Sequence, residues 1–339
     1  MNIDKKKSIL TIMNCCLCVL VVTIHLLSES IVSSDVDSAY YGLVYGFQGM
    51  ISFAMQGFVM LSGVRMSMKY SSSPLNYVKF LAKRATRIIV PYIIWTIIYY
   101  LYFCYEEFYS FDISSLIKHI YTGSVVSPFY FIIVIVQFYI FMPLWRKMVK
   151  TINPLLIIPL SIFITILCYF SAYEYNDRIA TTYLAYWVIG CYMGGHLDDY
   201  FKLLTKNRAF IISVTSITLG IRLYFLFNDS FMPGQFTTIL HLFYSLVMLN
   251  FLFLCFMHFE KLRNVSLVKI IDKSSYGIFY VHCLLIYIIN FWMTDNSIIK
   301  ISHRLAIRSI FVLVVSISLC YAYVKAREYI SGRIKHQSK

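Results

Sequence analysis

Charged residues are scarce. Asp, Glu, Lys and Arg make up 14% of the 339 residues while 59% are hydrophobic, against about 25% charged and 45–50% apolar in an ordinary soluble domain. That shortfall excludes water as the main solvent. Long polar segments are also missing: the longest hydrophilic connections, 65–87 and 105–127, leave no room for a separate soluble domain. The chain therefore reads as one integral-membrane domain over 1–339, with short tails at 1–7 and 324–339. Acidic residues are few, 16 against 30 basic, and none falls inside an apolar run. A proton- or sodium-coupled carrier commonly places carboxylates at the membrane midplane, so their absence counts against one. No internal repeat of the secondary-transporter kind is visible. Cys15, Cys16 and Cys18 lack the spacing of a zinc or redox pair. All nine cysteines read as small buried hydrophobes, and no metal is expected. The basic, apolar opening lacks a small-residue cleavage site, so it is expected to stay as a first helix.

What is present is hydrocarbon in runs long enough to cross a bilayer, about 20 residues each. They fall near 8–27, 44–63, 88–104, 129–145, 155–172, 179–195, 209–227, 235–257, 276–293 and 306–323. An all-α, polytopic fold of about ten transmembrane helices follows. The net charge of +14 does not point to nucleic acid, because the basic residues recur at alternate connections instead of forming one patch. By the positive-inside rule most of them sit on one side when both termini are cytoplasmic, and the opposite connections carry most of the acidic residues.

Ionisable groups inside such runs are costly and each is a functional candidate: His25, His241 and His282, with Arg222 and Arg308 near outer ends. His25 closes the run MNCCLCVLVVTIHLL. Asn14 lies eleven residues earlier, and at about 100° per residue the two share one helix face, about 16 Å apart along the axis. Glu29, one turn beyond His25, stands where it could orient the imidazole. On its own, His25 reads first as a satisfied core histidine, the usual state of a lone histidine on an apolar run. The stretch FLAKRATRIIVPY sets Lys83, Arg84 and Arg87 ahead of an apolar run; the cluster suits phosphate or marks only the inner membrane face. In IDKSSYGIFYVHCLLI, Ser274 or Ser275 could cap a helix, Gly277 could allow close packing, and His282 is either structural or functional. Ser62 and Gly63 in LSGVRM could be small-residue packing alone.

Taken in order, these segments resemble the membrane acyltransferase-3 family, which acylates bacterial surface glycans and includes a biofilm-adhesin polysaccharide branch. The similarity rests on His25 ending the first helix, the LSG segment at Leu61–Gly63, the basic segment from Lys83 to Pro91, and Ser275–His282. YFIIVIVQFYIFMPL and YWVIGCYMGG also look like its middle helices. The resemblance implies a multi-pass protein of the bacterial cytoplasmic (inner) membrane that moves an acyl group, acetyl first, to a glycan or lipid-linked glycan hydroxyl. Acetyl-CoA would be the co-substrate, with no bound cofactor and with membrane lipids as surroundings. His25 would act as base or acyl relay, with Glu29 orienting it. Lys83, Arg84, Arg87 and Arg65 would hold the donor phosphates. Asn14, Ser62, Tyr276 and His282 would line the substrate passage. His25 falls near the outer face and the cationic cluster near the inner one, about 30 Å of hydrocarbon away. The chain departs from the family at Asn14, where an arginine is typical; an amide keeps hydrogen bonding but gives up fixed charge. A polysaccharide exporter or flippase is the alternative of the same family, and an inactive partner of a glycan assembly a third.

Overall fold

The computed structural model describes residues 3–70, 75–171, 173–228 and 234–337. Residues 1–2 and 338–339 of the expected tails, and 71–74 of the expected 65–87 connection, lie outside the described residues. In chain order the α-helices are α1 Ile3–Val32, α2 Ala39–Ile51, α3 Ala54–Tyr70, α4 Tyr77–Arg84, α5 Val90–Tyr105, α6 Ile113–Thr122, α7 Tyr130–Ile140 and α8 Met142–Thr151. They continue with α9 Pro154–Tyr169, α10 Leu184–Gly195, α11 Leu197–Lys206, α12 Arg208–Phe227, α13 Gly234–Phe256, α14 Ser266–Asp295 and α15 Ile301–Gln337. Among the described residues there is no strand. The protein is an all-α, polytopic membrane protein.

Each of the ten apolar runs falls mainly on helix. Among the described residues seven helical segments are long and apolar enough to cross a bilayer: α1, α2 with α3 (Ala39–Tyr70), α4 with α5 (Tyr77–Tyr105), α12, α13, α14 and α15 as far as Ala326. An eighth span results if α6 and the segment Ser127–Ile140, which meet at a 57° bend, count as one. Helix α9 is apolar but shorter. The bend has a local cause: Gly123 adopts a left-handed φ of 65° at the end of α6, the conformation glycine takes at least cost.

The helices pack as two compact units, Met1–Ala54 with Leu252–Lys339, and Met55–Phe251. In the first, α1 packs on α14, α2 and α15, and α14 packs on α15. Leu10, Met13, Leu17 and Val21 on α1 are buried, the three- and four-residue spacing of one helix face. Between helices surrounded by lipid, apolarity alone gives no preference for association, so fit and hydrogen bonds decide it. Gln48 of α2 supplies one such bond, donating to the Ile24 carbonyl at 3.0 Å. Gly277 supplies close fit: a Cβ there would lie 2.8 Å from Cys320 Sγ on α15.

One expectation fails on α14. The helix begins at Ser266, so Ser274 and Ser275 are interior residues and not caps. For the same reason Asp272, outside the apolar runs, is carried within a helix. The polar-to-apolar boundary in the sequence marks where hydrocarbon begins. The helix starts earlier, because its polar turns are packed against α1.

In the second unit, α3 and α10 cross in close backbone contact. A Cβ at Gly63 would meet the Trp187 carbonyl at 2.7 Å, and one at Gly190 would collide with the Met60 carbonyl. The LSG and YWVIGCYMGG phrases are thus two sides of one small-residue packing contact.

Candidate functional site

Asn14 and His25 do share a face, and in both cases α14 is what they meet. Asn14 is buried, 4% exposed, and its amide donates to Asp272 Oδ1 at 2.9 Å and to Ser275 Oγ at 3.2 Å. Thr11 adds its hydroxyl to Asp272 Oδ2 at 3.3 Å. Further along α1, the His25 ring meets that of His282, with centroids 5.3 Å apart. Residues 14 and 25 of α1 therefore pair with 272–275 and 282 of α14, in the same order, so these two helices run parallel. A parallel pair turns matched i and i+11 positions into one polar seam.

The chemistry gathers around His282, which is fully buried. Its Nδ1 lies 2.9 Å from the Ile278 carbonyl, an acceptor only, so the proton sits on Nδ1. In the neutral ring Nε2 is then a bare lone pair, and Cys283 Sγ, 3.3 Å away, donates its S–H to it. His25 is half-buried whereas His282 and Cys283 are buried, so the cluster is most open on the His25 side. The ligand atoms of His25, His282 and Cys283 all lie within 4.8 Å of one another.

The expected partnership of Glu29 with His25 does not form: among the described residues no hydrogen bond joins them. Glu29 instead interacts electrostatically with Arg308 of α15, because the i+4 position carries it past the His25 ring toward a cation from another helix. Arg308 is 1% exposed and donates to Ser30 Oγ at 2.7 Å and Asn290 Oδ1 at 2.9 Å. This places a fixed positive charge on the face of α1 just beyond His25. Tyr276 is 46% exposed, about 100° around α14 from Ser275. Asp272, Ser30, Asn290 and Cys283 were not singled out as site members by sequence. Arg308 was legible as a buried cation, but its Ser30 partner is 278 residues away.

The cationic cluster belongs to the second unit and is split by local geometry. Ala85–Ile89 is a π-helical turn between α4 and α5, a wide turn found often at functional positions. Arg84 is half-buried, its guanidinium lying 4.8 Å from the Tyr139 ring centroid and 3.2 Å from Met66 Sδ. Lys83 and Arg87 are exposed, and Arg65 and Ser62 are half-buried on α3. The same unit has a recess lined by Ser67, Trp145, Arg146, Lys150 and Cys191, whose cations the sequence read only as topology signals. Arg146 is fixed there by donating to the Tyr70 carbonyl at 2.7 Å.

Residues 9–325 match the protein family described as "Acyltransferase domain". Among curated proteins the chain is similar to two described as "Probable poly-beta-1,6-N-acetyl-D-glucosamine export protein", from Staphylococcus epidermidis and from its strain RP62A. Each is 24% identical over 298 residues, covering 83% of this chain and 82% of the relative. No solved structure matches.

Proposed function

Since the chain belongs to the membrane acyltransferase-3 family, we propose that it transfers an acyl group to a hydroxyl of a bacterial surface polysaccharide or its lipid-linked precursor. The donor is a cytoplasmic acyl-CoA, acetyl-CoA first, and the protein works in the bacterial cytoplasmic membrane with both termini inside. The observation that carries this reading is the histidine pair on the α1–α14 seam. His282 is locked in one tautomer by the Ile278 carbonyl, and its ring packs on the more accessible His25.

His25 is the general base that takes the proton of the acceptor hydroxyl, with its ring orientation set by contact with His282. Arg308 of α15, bonded to Ser30 of α1, supplies the fixed positive charge that Asn14 lacks, and Glu29 balances it. Asn14 organises the other end of the seam through Asp272 and Ser275. In the second unit Arg84, assisted by Lys83, Arg87 and Arg65, holds the donor's phosphates; a guanidinium packed on aromatic rings is pre-oriented for phosphate oxygens. Ser62 is left to the α3–α10 packing.

A second reading, polysaccharide export, is favoured by the printed description of the staphylococcal relatives. Mass spectrometry of surface polysaccharide separates the two. Cells lacking the protein are rescued in parallel by the native chain and by His25→Ala. A positioned base contributes about 10²–10⁴-fold, so acyl transfer requires normal surface glycan without its ester, restored by the native chain alone. Glycan of unchanged composition retained inside the cell identifies export, and near-normal acylation by His25→Ala removes His25 from the chemistry.

A further inference from the structure

In a one-step transfer the second imidazole does no more than orient His25. Direct attack of a hydroxyl on a thioester needs one base, which His25 provides. Yet His282 is buried more deeply, has its tautomer fixed, and points its bare nitrogen at a thiol instead of at the opening. Nucleophile, base and orienting group stand in order along one turn of α14: Cys283 Sγ 3.3 Å from His282 Nε2, and His282 Nδ1 2.9 Å from the Ile278 carbonyl. A thiol held beside the bare nitrogen of an imidazole can pass its proton to that nitrogen as its sulfur attacks. Among the described residues no other cysteine hydrogen-bonds to an imidazole, although all nine are present.

We propose that Cys283 accepts the acyl group from the donor as a covalent thioester, and that His25 then directs its transfer to the acceptor hydroxyl. This rests on the acyltransferase reading and adds a two-step course to it. In the first step Cys283 passes its S–H proton to His282 Nε2 while its sulfur attacks the donor's thioester carbonyl. The donor carbon–sulfur bond breaks, and the departing thiolate takes the proton from His282. One thioester is exchanged for another, so the step is nearly balanced in energy. In the second step the acceptor oxygen attacks the Cys283 thioester as its proton goes to His25. The Cys283 carbon–sulfur bond breaks, and the proton returns to the thiol. The products are the ester and the starting enzyme, and neither step calls on another reactant. The geometry explains two adjacent imidazoles with different exposure: the buried one serves the enzyme's thiol, and the half-buried one serves the incoming hydroxyl.

The proposal makes His25→Ala a trap, since it blocks the second step and spares the first. Purified, full-length His25→Ala in detergent is incubated with isotope-labelled acetyl-CoA without acceptor, then digested and mapped by mass spectrometry. The expected result is label on the Cys283 peptide, released by neutral hydroxylamine as a thioester, and absent from the doubly substituted His25→Ala, Cys283→Ala chain. Cys283→Ala alone should lose acceptor acylation as fully as His25→Ala, while Cys18→Ala, at another buried thiol of α1, should keep it. Because the trapping arm retains native Cys283, it stands even where Cys283→Ala fails to insert. Label on a different cysteine, no label, or native turnover in Cys283→Ala overturns the proposal. If Cys283→Ala is active and His25→Ala is not, acyl transfer survives and only the thioester step falls. If the native chain transfers no acyl group to glycan, the acyltransferase reading falls as well.

Discussion

The register of α1 on α14 positions everything at the site, and the Asn14–Asp272 hydrogen bond is where it can be tested energetically. Asn14→Leu removes an amide that donates at 2.9 Å to a carboxylate and at 3.2 Å to Ser275, from a position 4% exposed. A hydrogen bond to a charged group contributes about 1.5–3 kcal/mol in soluble proteins. Inside a membrane protein the measured average is nearer 0.6, with a maximum near 1.7 kcal/mol. Asp272 lies on the polar early turns of α14, so a coupling of about 1–1.5 kcal/mol is expected, between those two cases. A double-mutant cycle with Asn14→Leu, Asp272→Leu and both together isolates it. Unfolding is followed by the helical signal under denaturing detergent, in micelles where refolding is reversible. The double variant should be less destabilised than the two single variants added. Additivity within about 0.3–0.5 kcal/mol would show that these side chains do not interact and that the seam is wrongly registered. Thr11→Val, which removes a longer 3.3 Å contact, should cost less than Asn14→Leu.

Arg308→Met strips Ser30 and Asn290 of a buried donor; leaving a buried polar group unsatisfied costs about 1–3 kcal/mol. A marked fall in thermal stability is expected, and an unchanged melting curve would contradict the bonding described. At the α3–α10 crossing, Gly63→Ala drives a Cβ to 2.7 Å from a backbone carbonyl that cannot swing aside, an overpacking that costs about 1–3 kcal/mol. Gly42→Ala, with nothing within 4 Å of its Cβ, should instead stabilise α2 by up to about 1 kcal/mol through helix propensity. Opposite signs in the two melting shifts are the check, and equal shifts would refute the packing argument.

The sequence made visible what depends on composition and period. Scarce charge and long apolar runs give an all-helical membrane protein, because a bilayer leaves a spanning backbone few other ways to satisfy its polar groups. The eleven-residue interval put Asn14 and His25 on one stripe, since helical geometry is local. His282 and Arg308 were legible as candidates because ionisable groups inside apolar runs are rare. Their partners were not. Glu29 was matched with His25 by spacing along one helix, but the cation that claims it comes from α15, and no local rule ranks a neighbour at i+4 against one far along the chain. Asp272 was assigned to a connection because hydropathy marks lipid, whereas its helix is extended by contact with α1.

What the sequence by itself determined is therefore the class of solvent, the helical content, the family, and which few side chains are too polar to be there by chance. Tertiary structure alone decided that α1 and α14 run parallel in matched register, so that Asn14 finds Asp272 and His25 finds His282. It also decided that the thiol beside His282 faces the bare nitrogen of the ring. The reason is physical: a helix fixes where its own residues lie relative to one another, but packing fixes which helix is opposite, and a bond between residues far apart in the chain exists only once the helices have met.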